Sequence, residues 1–301
     1  MDDIAIVDAH HHLWDLQGLH YPFLSDEPKE DFFLGDNSPI RKNFLPADYR
    51  RVSAKHNVIK TVHVEAECHR GSQVAESEWI SAINAEHGFP NAIVAHAWFD
   101  EGNSEEILAA QAAIPLVRGI RSKPVTAPDP GSKQPGAPRT MQNPKWLAGF
   151  ALLEKYDLSW DLRVPSWHLE EAAEVAKSFP GTRIVLNHTG FPWDRSEDGL
   201  SMWRRGMHAL ADAPNVHLKI SCLCLPDGPW TLESNRPIVL EAIDMFGVDR
   251  CMFASNYPVD GLRASYDLIY GSFRTITAHF PREDREKLFS RNAMAFYRID
   301  P

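Results

Sequence analysis

Three consecutive histidines, His10, His11 and His12, follow the mostly apolar run Ile4 to Asp8 near the start of this chain. A short run of that kind reads as a buried β-strand, along which successive side chains point to opposite faces. His10 and His12 then project together, and His11 points the other way, toward a covering layer of helices. Two imidazoles side by side at a strand end can ligate a metal, or they can position a substrate and move protons. An HxH pair is equally what an incidental polar strand end looks like, so the chain must supply the other parts of a site.

Further groups fall at the ends of other apolar runs. HVEAE carries His63, Glu65 and Glu67 on one parity, and AHAWFD carries His96, Trp98 and Asp100. VRGIRSK carries Arg121 and Lys123, LNHTG carries Asn187 and His188, and ASNYPVD carries Asn256 and Asp260. Polar groups at so many strand ends argue for a site, because burying them unpartnered costs several kcal/mol. Arg121 reads either as an anion-binding group or as the ion-pair partner of Glu65 or Glu67. Glu65 reads either as that counter-ion or as a metal ligand. Cys222 and Cys224 read as small apolar packing, and His20, His168 and His217 as surface or cap residues.

Eight runs rich in Val and Ile, at 4–10, 58–65, 92–98, 117–123, 158–164, 183–188, 216–222 and 251–255, alternate with segments of helical period. Eight βα units within 301 residues, with no linker between them, predict an α/β fold. It is a single (β/α)8 TIM barrel over 1–301, in preference to a doubly wound sheet. Barrel strands deliver their last residues to one face, which is where the groups above would meet. Two connections, Leu13 to Leu45 and Pro124 to Pro144, are too long for simple loops and follow strands 1 and 4, so they are expected as lids. The first carries Trp14, Tyr21, Phe23, Phe32 and Phe33, with Trp14 expected against substrate.

A net charge of -10 argues against nucleic-acid and polybasic membrane contacts, so an anionic small-molecule substrate needs a local basic pocket. Four cysteines without a CxxC pair read as reduced thiols in a cytoplasmic protein. The segment MDDIAIVDA lacks the basic region of a signal peptide, and no apolar stretch approaches the length of a membrane span.

The motifs DAHHHLWD, LHYPFL, FLPADYR, VRGIRS, IVLNHTGFP, PNVHLKIS and FGVDRCMFASNYPVD resemble, in order along the chain, those of the amidohydrolase superfamily. Within it they are similar to the lactonase-like amidohydrolase-2 branch, which opens sugar-acid and pyrone-dicarboxylate lactones. The resemblance implies a hydrolase acting on the ester bond of a small, carboxylated or sugar-acid lactone. His10, His12 and His188 would be catalytic, and Arg121 would bind substrate. The superfamily also contains decarboxylases, which leaves that chemistry as an alternative, with a non-catalytic ligand binder as a third. Members work with one divalent ion, zinc by preference and here held by His10 and His12, or without metal. Where the branch has an aspartate after strand 8, in a G-S-D-W-P pattern, this chain has Asn256, and an amide cannot accept a proton at neutral pH. Asp260 or Glu65 is then the expected base, with Asn256 orienting substrate or water. A homo-oligomer is left open.

Overall fold

The computed structural model describes residues 4–26, 32–226 and 228–300; the stretch 27–31 of the first long loop lies outside them. Eight strands form the sheet: β1 (Ile6–His11), β2 (Val58–Val64), β3 (Ala92–Ala95), β4 (Val117–Ile120), β5 (Ser159–Leu162), β6 (Ile184–Leu186), β7 (Val216–Ile220) and β8 (Cys251–Phe253). They run parallel in the order β1 to β8. A bridge between His11 and Tyr257 brings β8 back to β1. The Asn256 amide donates to the His10 carbonyl at 2.8 Å, and the His12 amide to the Tyr257 carbonyl at 2.8 Å. The fold is the expected (β/α)8 barrel. Most strands stop a few residues short of the sequence-based limits, because their last residues leave the ladder to form the mouth.

The helices between strands begin and end where the sequence offers caps. The Ser196, Thr231 and Ser265 hydroxyls accept from main-chain amides one turn on, opening the helices Glu197–Ala211, Leu232–Phe246 and Tyr266–Ile276. Gly88, at φ +78°, ends the helix Gln73–His87 in the left-handed region that a side chain disfavours.

The barrel interior is filled by Val7, Ala9, Val62, Val64, Val94, Val185 and Met252, and Phe296 and Tyr297 of the C-terminal helix pack against it. Within it, Lys219 Nζ meets Asp161 Oδ2 at 2.6 Å with both side chains fully buried. The Tyr297 hydroxyl donates to the same carboxylate at 3.0 Å. His217 packs on Phe296 at this closed end of the barrel, with ring centroids 4.9 Å apart, and is not the surface residue its sequence context suggested.

An irregularity in β1 decides which groups reach the mouth. Asp8 pairs with Thr61 and His11 with His63, so three steps along β1 match two along β2. Asp8 and His11 consequently both face the helices. The Asp8 carboxylate accepts from Tyr49 at 2.8 Å, Tyr270 at 3.2 Å and Tyr266 at 3.3 Å, and from the Ser255 hydroxyl at 2.7 Å, tying β1 to the end of β8 and to two helices. His11 behaves as its parity predicts, with Nε2 2.9 Å from Thr61 Oγ1 and its ring 4.4 Å from that of Tyr49.

Candidate active site

A cavity of about 320 Å³ opens at the carboxyl ends of the strands. One side presents His12, Glu67, Arg121, Lys123, Arg163, His188 and Asn256; the other presents Trp14, Phe23, Phe32 and Phe33 from the first long loop. The described part of that loop therefore walls the cavity. The second long connection, also expected as a lid, does not: none of its residues lines this cavity. It packs to one side, where the Arg139 guanidinium lies 4.0 Å over the Trp98 ring and the Ala127 amide donates to His168 Nε2 at 2.9 Å. Of the surface and cap readings of His168 the second holds: it is the buried N-cap residue of the helix Leu169–Ser178, beneath that loop.

The mouth is built from strained backbone. Glu67, His188, Thr189, Phe191, Cys222 and Asn256 all have positive φ, between +50° and +60°. Such conformations cost about 1–3 kcal/mol each for residues with side chains and concentrate at functional sites.

His12 has a defined tautomer. Its Nδ1 lies 2.7 Å from the Val64 carbonyl oxygen, which can only accept, so Nδ1 carries the proton and the neutral ring turns an unprotonated Nε2 to the cavity. Burial, then the Arg121 charge, lowers its pKa to about 3. His188 has Nδ1 3.1 Å from Ser221 Oγ and lines the same cavity. Burial, then Arg163 and Arg121, holds it well below its ordinary value. His10 lies beneath these two, its ring centroid 5.0 Å from that of His12 and 4.6 Å from that of His188, and it does not reach the cavity. Burial and then Lys219 hold it neutral too.

Arg121 and Glu65 form an ion pair. Arg121 Nε donates to Glu65 Oε1 at 2.7 Å and Arg121 Nη2 to the Glu65 carbonyl oxygen at 2.5 Å, while Arg70 Nη1 reaches Glu65 Oε2 at 3.1 Å. Burial opposes ionisation of Glu65, but Arg121 and Arg70 outweigh it and keep its pKa well below the ordinary value. Glu65 does not line the cavity. Lys123 pairs in the same way with Glu67.

Asn256 lines the cavity and donates Nδ2 to Asp260 Oδ1 at 2.7 Å. Asp260 sits behind it, 2% exposed, and burial pushes its carboxyl up to about 7 against hydrogen bonds from Asn256, Cys222 and Cys224. The two thiols are therefore partners of a buried acid, not simple apolar packing. His63, read from the sequence as facing the site, instead accepts from the Leu13 amide at 3.2 Å among the helices. His96 is turned to Gln73, at 2.9 Å.

Arg163 was not singled out in the sequence. It follows β5 two residues after the inward-facing Asp161, and the strand-end rule that found Arg121 would have found it.

The donor set does not fit a resident zinc ion. His10 has both ring nitrogens buried without a hydrogen-bond partner, as a ligand might, and His12 offers Nε2. No carboxylate completes the pair, since Glu65 is neutralised by Arg121 and Arg70, and an amide stands at position 256. The charges acting on these imidazoles include Lys219 and Arg121, which repel a divalent cation. Among the described residues, no group of three or more His, Cys, Asp or Glu is placed to hold a metal. Nor is any described helix long and apolar enough to cross a membrane.

Known proteins share this architecture. The uncharacterized protein y4mH of Sinorhizobium fredii is 41% identical over 299 residues, 99% of this chain and 100% of that protein. The L-fucono-1,5-lactonase of Burkholderia ambifaria is 26% identical over 306 residues, 98% of this chain and 96% of the enzyme. An amidohydrolase from Burkholderia multivorans, solved with bound zinc, shares the fold with a TM-score of 0.78 at 20% identity, over 98% of this chain and 100% of its own. The family model described as Amidohydrolase matches residues 7–299, and this chain belongs to that family.

Proposed function

We propose that the cavity hydrolyses a small lactone, with His12 as the base. The observation that carries this reading is the His12 Nδ1 contact to the Val64 carbonyl, which leaves Nε2 as a fixed lone pair beside a guanidinium. The L-fucono-1,5-lactonase relative supports the lactone as the substrate type.

Water attacks the acyl carbon while His12 Nε2 takes its proton, and the carbonyl electron pair moves onto oxygen. Arg121, held rigid by Glu65, faces that oxygen with the part of its guanidinium that lines the cavity, a donor arranged before charge develops. The acyl bond to the ring oxygen then breaks, the proton passes from His12 to that oxygen, and a hydroxy acid leaves. His188 and Asn256 orient the ring and the water, and Asp260 holds the Asn256 amide. A base as weak as His12 strengthens as negative charge develops on the carbonyl oxygen beside Arg121, so proton transfer is favoured as the attack proceeds. Zinc has no part in these steps, given the donor set described above.

A pH-stat assay over L-fucono-1,5-lactone and a carboxylated lactone tests the reading. Ring opening by the wild type, reduced by about 10²–10⁴ in His12→Ala, is expected. Carbon dioxide from an aromatic-acid panel, with no lactone opened, would replace it with the decarboxylase alternative.

A further inference from the structure

The cavity's charges do not balance, and the excess lies on one side chain. Arg121 is paired with Glu65 and Lys123 with Glu67. Arg163 lines the same cavity and makes no hydrogen bond or ion pair among the described residues. Its guanidinium lies 5.0 Å from the Phe191 ring centroid and 5.5 Å from that of Phe33. Those rings belong to one aromatic cluster, in which Phe191 and Trp193 are 4.4 Å apart, Phe33 and Trp193 5.9 Å, Phe32 and Phe33 4.8 Å, and Phe23 and Phe32 6.3 Å; Phe23, Phe32 and Phe33 line the cavity. In a chain of net charge -10, an unpaired arginine within a cleft is a local reversal of sign.

Ring faces orient a guanidinium and shield it, but they leave its in-plane N–H donors unsatisfied. A carboxylate satisfies two of them at once. The rings that flank Arg163, those of Phe33 and Phe191, offer a sugar no hydroxyl or amide partner. Asn37, the one amide that the described part of the first long loop brings to the cavity, already donates to the Phe23 carbonyl at 2.9 Å.

We infer that Arg163 is the carboxylate-binding and specificity-determining residue of this cavity, and that its substrate is an organic acid with an apolar ring or chain rather than a polyhydroxylated one. This deepens the lactonase reading and rests on it only for the identity of the reacting bond. Arg163 takes the role that the sequence suggested for Arg121, whose guanidinium is bound to Glu65.

Binding of benzoate and of gluconate, followed by tryptophan fluorescence, separates this inference from the hydrolysis it accompanies. Wild type should bind benzoate more tightly than gluconate. Arg163→Met should weaken benzoate by about 10- to 100-fold, the range for losing a hydrogen-bonded charge partner. Arg163→Lys, which keeps the charge and the fold but loses the bidentate fork, should fall between. Unchanged benzoate affinity in both Arg163 variants overturns the assignment of the anion site, and gluconate binding as tight as benzoate overturns the apolar part. Arg163-dependent binding without lactone opening would remove the hydrolytic reading and leave the anion site standing.

Discussion

Arg121 and Glu65, far apart in the chain, are locked through two hydrogen bonds, Nε to the carboxylate at 2.7 Å and Nη2 to the main-chain oxygen at 2.5 Å. Replacing Arg121 with Met leaves a fully buried carboxylate held by Arg70 and by the Glu67 main-chain amide, both at Oε2. A loss of about 3 kcal/mol is expected, at the lower end for a broken buried pair because Arg70 remains. Denaturant unfolding measures it. A variant as stable as the wild type would show that Glu65 is not held as described.

Asp260→Asn separates a base from a positioning group. Asp260 reaches the cavity only through Asn256, so its loss should free the amide and lower kcat by about tenfold without abolishing turnover. Complete inactivity would make Asp260 the base, and Asn256→Asp, at a position whose φ of +52° either residue tolerates, would then raise the rate.

His11 and His12 are neighbours with opposite duties. His11→Ala removes a buried ring packed on Tyr49 and bonded to Thr61, and should cost about 1–3 kcal/mol of stability with kcat little changed. The test is thermal unfolding beside turnover, and a stable but inactive His11→Ala would mean that the faces of β1 have been exchanged.

Much of this was legible in the chain. Alternating apolar runs gave the eight strands, and the parity of His10 and His12 survives in the fold. The irregularity that turns Asp8 to the helices was not legible, because the extra residue in β1 has no local signature in a sequence that reads as regular alternation. Parity failed for His63, whose strand-end position resembles that of Arg121 while its face is set by pairing with His11. Whether Arg121 served substrate or Glu65 could not be read, since an ion pair between distant residues depends on how β2 and β4 are placed. Asp161, Arg163 and Lys219 were within reach, as charged residues at inward positions of strands otherwise filled with apolar side chains.

Stability should depend on pH with a definite sign. Burial, more than any neighbouring charge, holds His12 at about 3 and His11 at about 4, and keeps His10, His63, His96 and His188 below 6.5. As pH falls below 6.5 the unfolded chain binds protons that the folded chain refuses, so stability is lost downward through that window. Asp260 and Glu76, pushed up to about 7 by burial, act in the opposite sense between their unfolded values and pH 7. Six imidazoles outweigh two carboxyls, and Tm should rise from about pH 4.5 to about pH 6.5. A falling profile would contradict the burial of these rings.

Turnover in water enriched in oxygen-18, by protein dialysed against EDTA, tests the central claim most directly. Attack of water at the acyl carbon, with His12 as base, predicts one labelled oxygen in the carboxylate of the opened acid and none in its new hydroxyl. His12→Ala should open the ring, and so gain label, about 10²–10⁴ times more slowly. Label in the hydroxyl, full activity in His12→Ala, or activity lost to EDTA and restored by zinc would contradict the account.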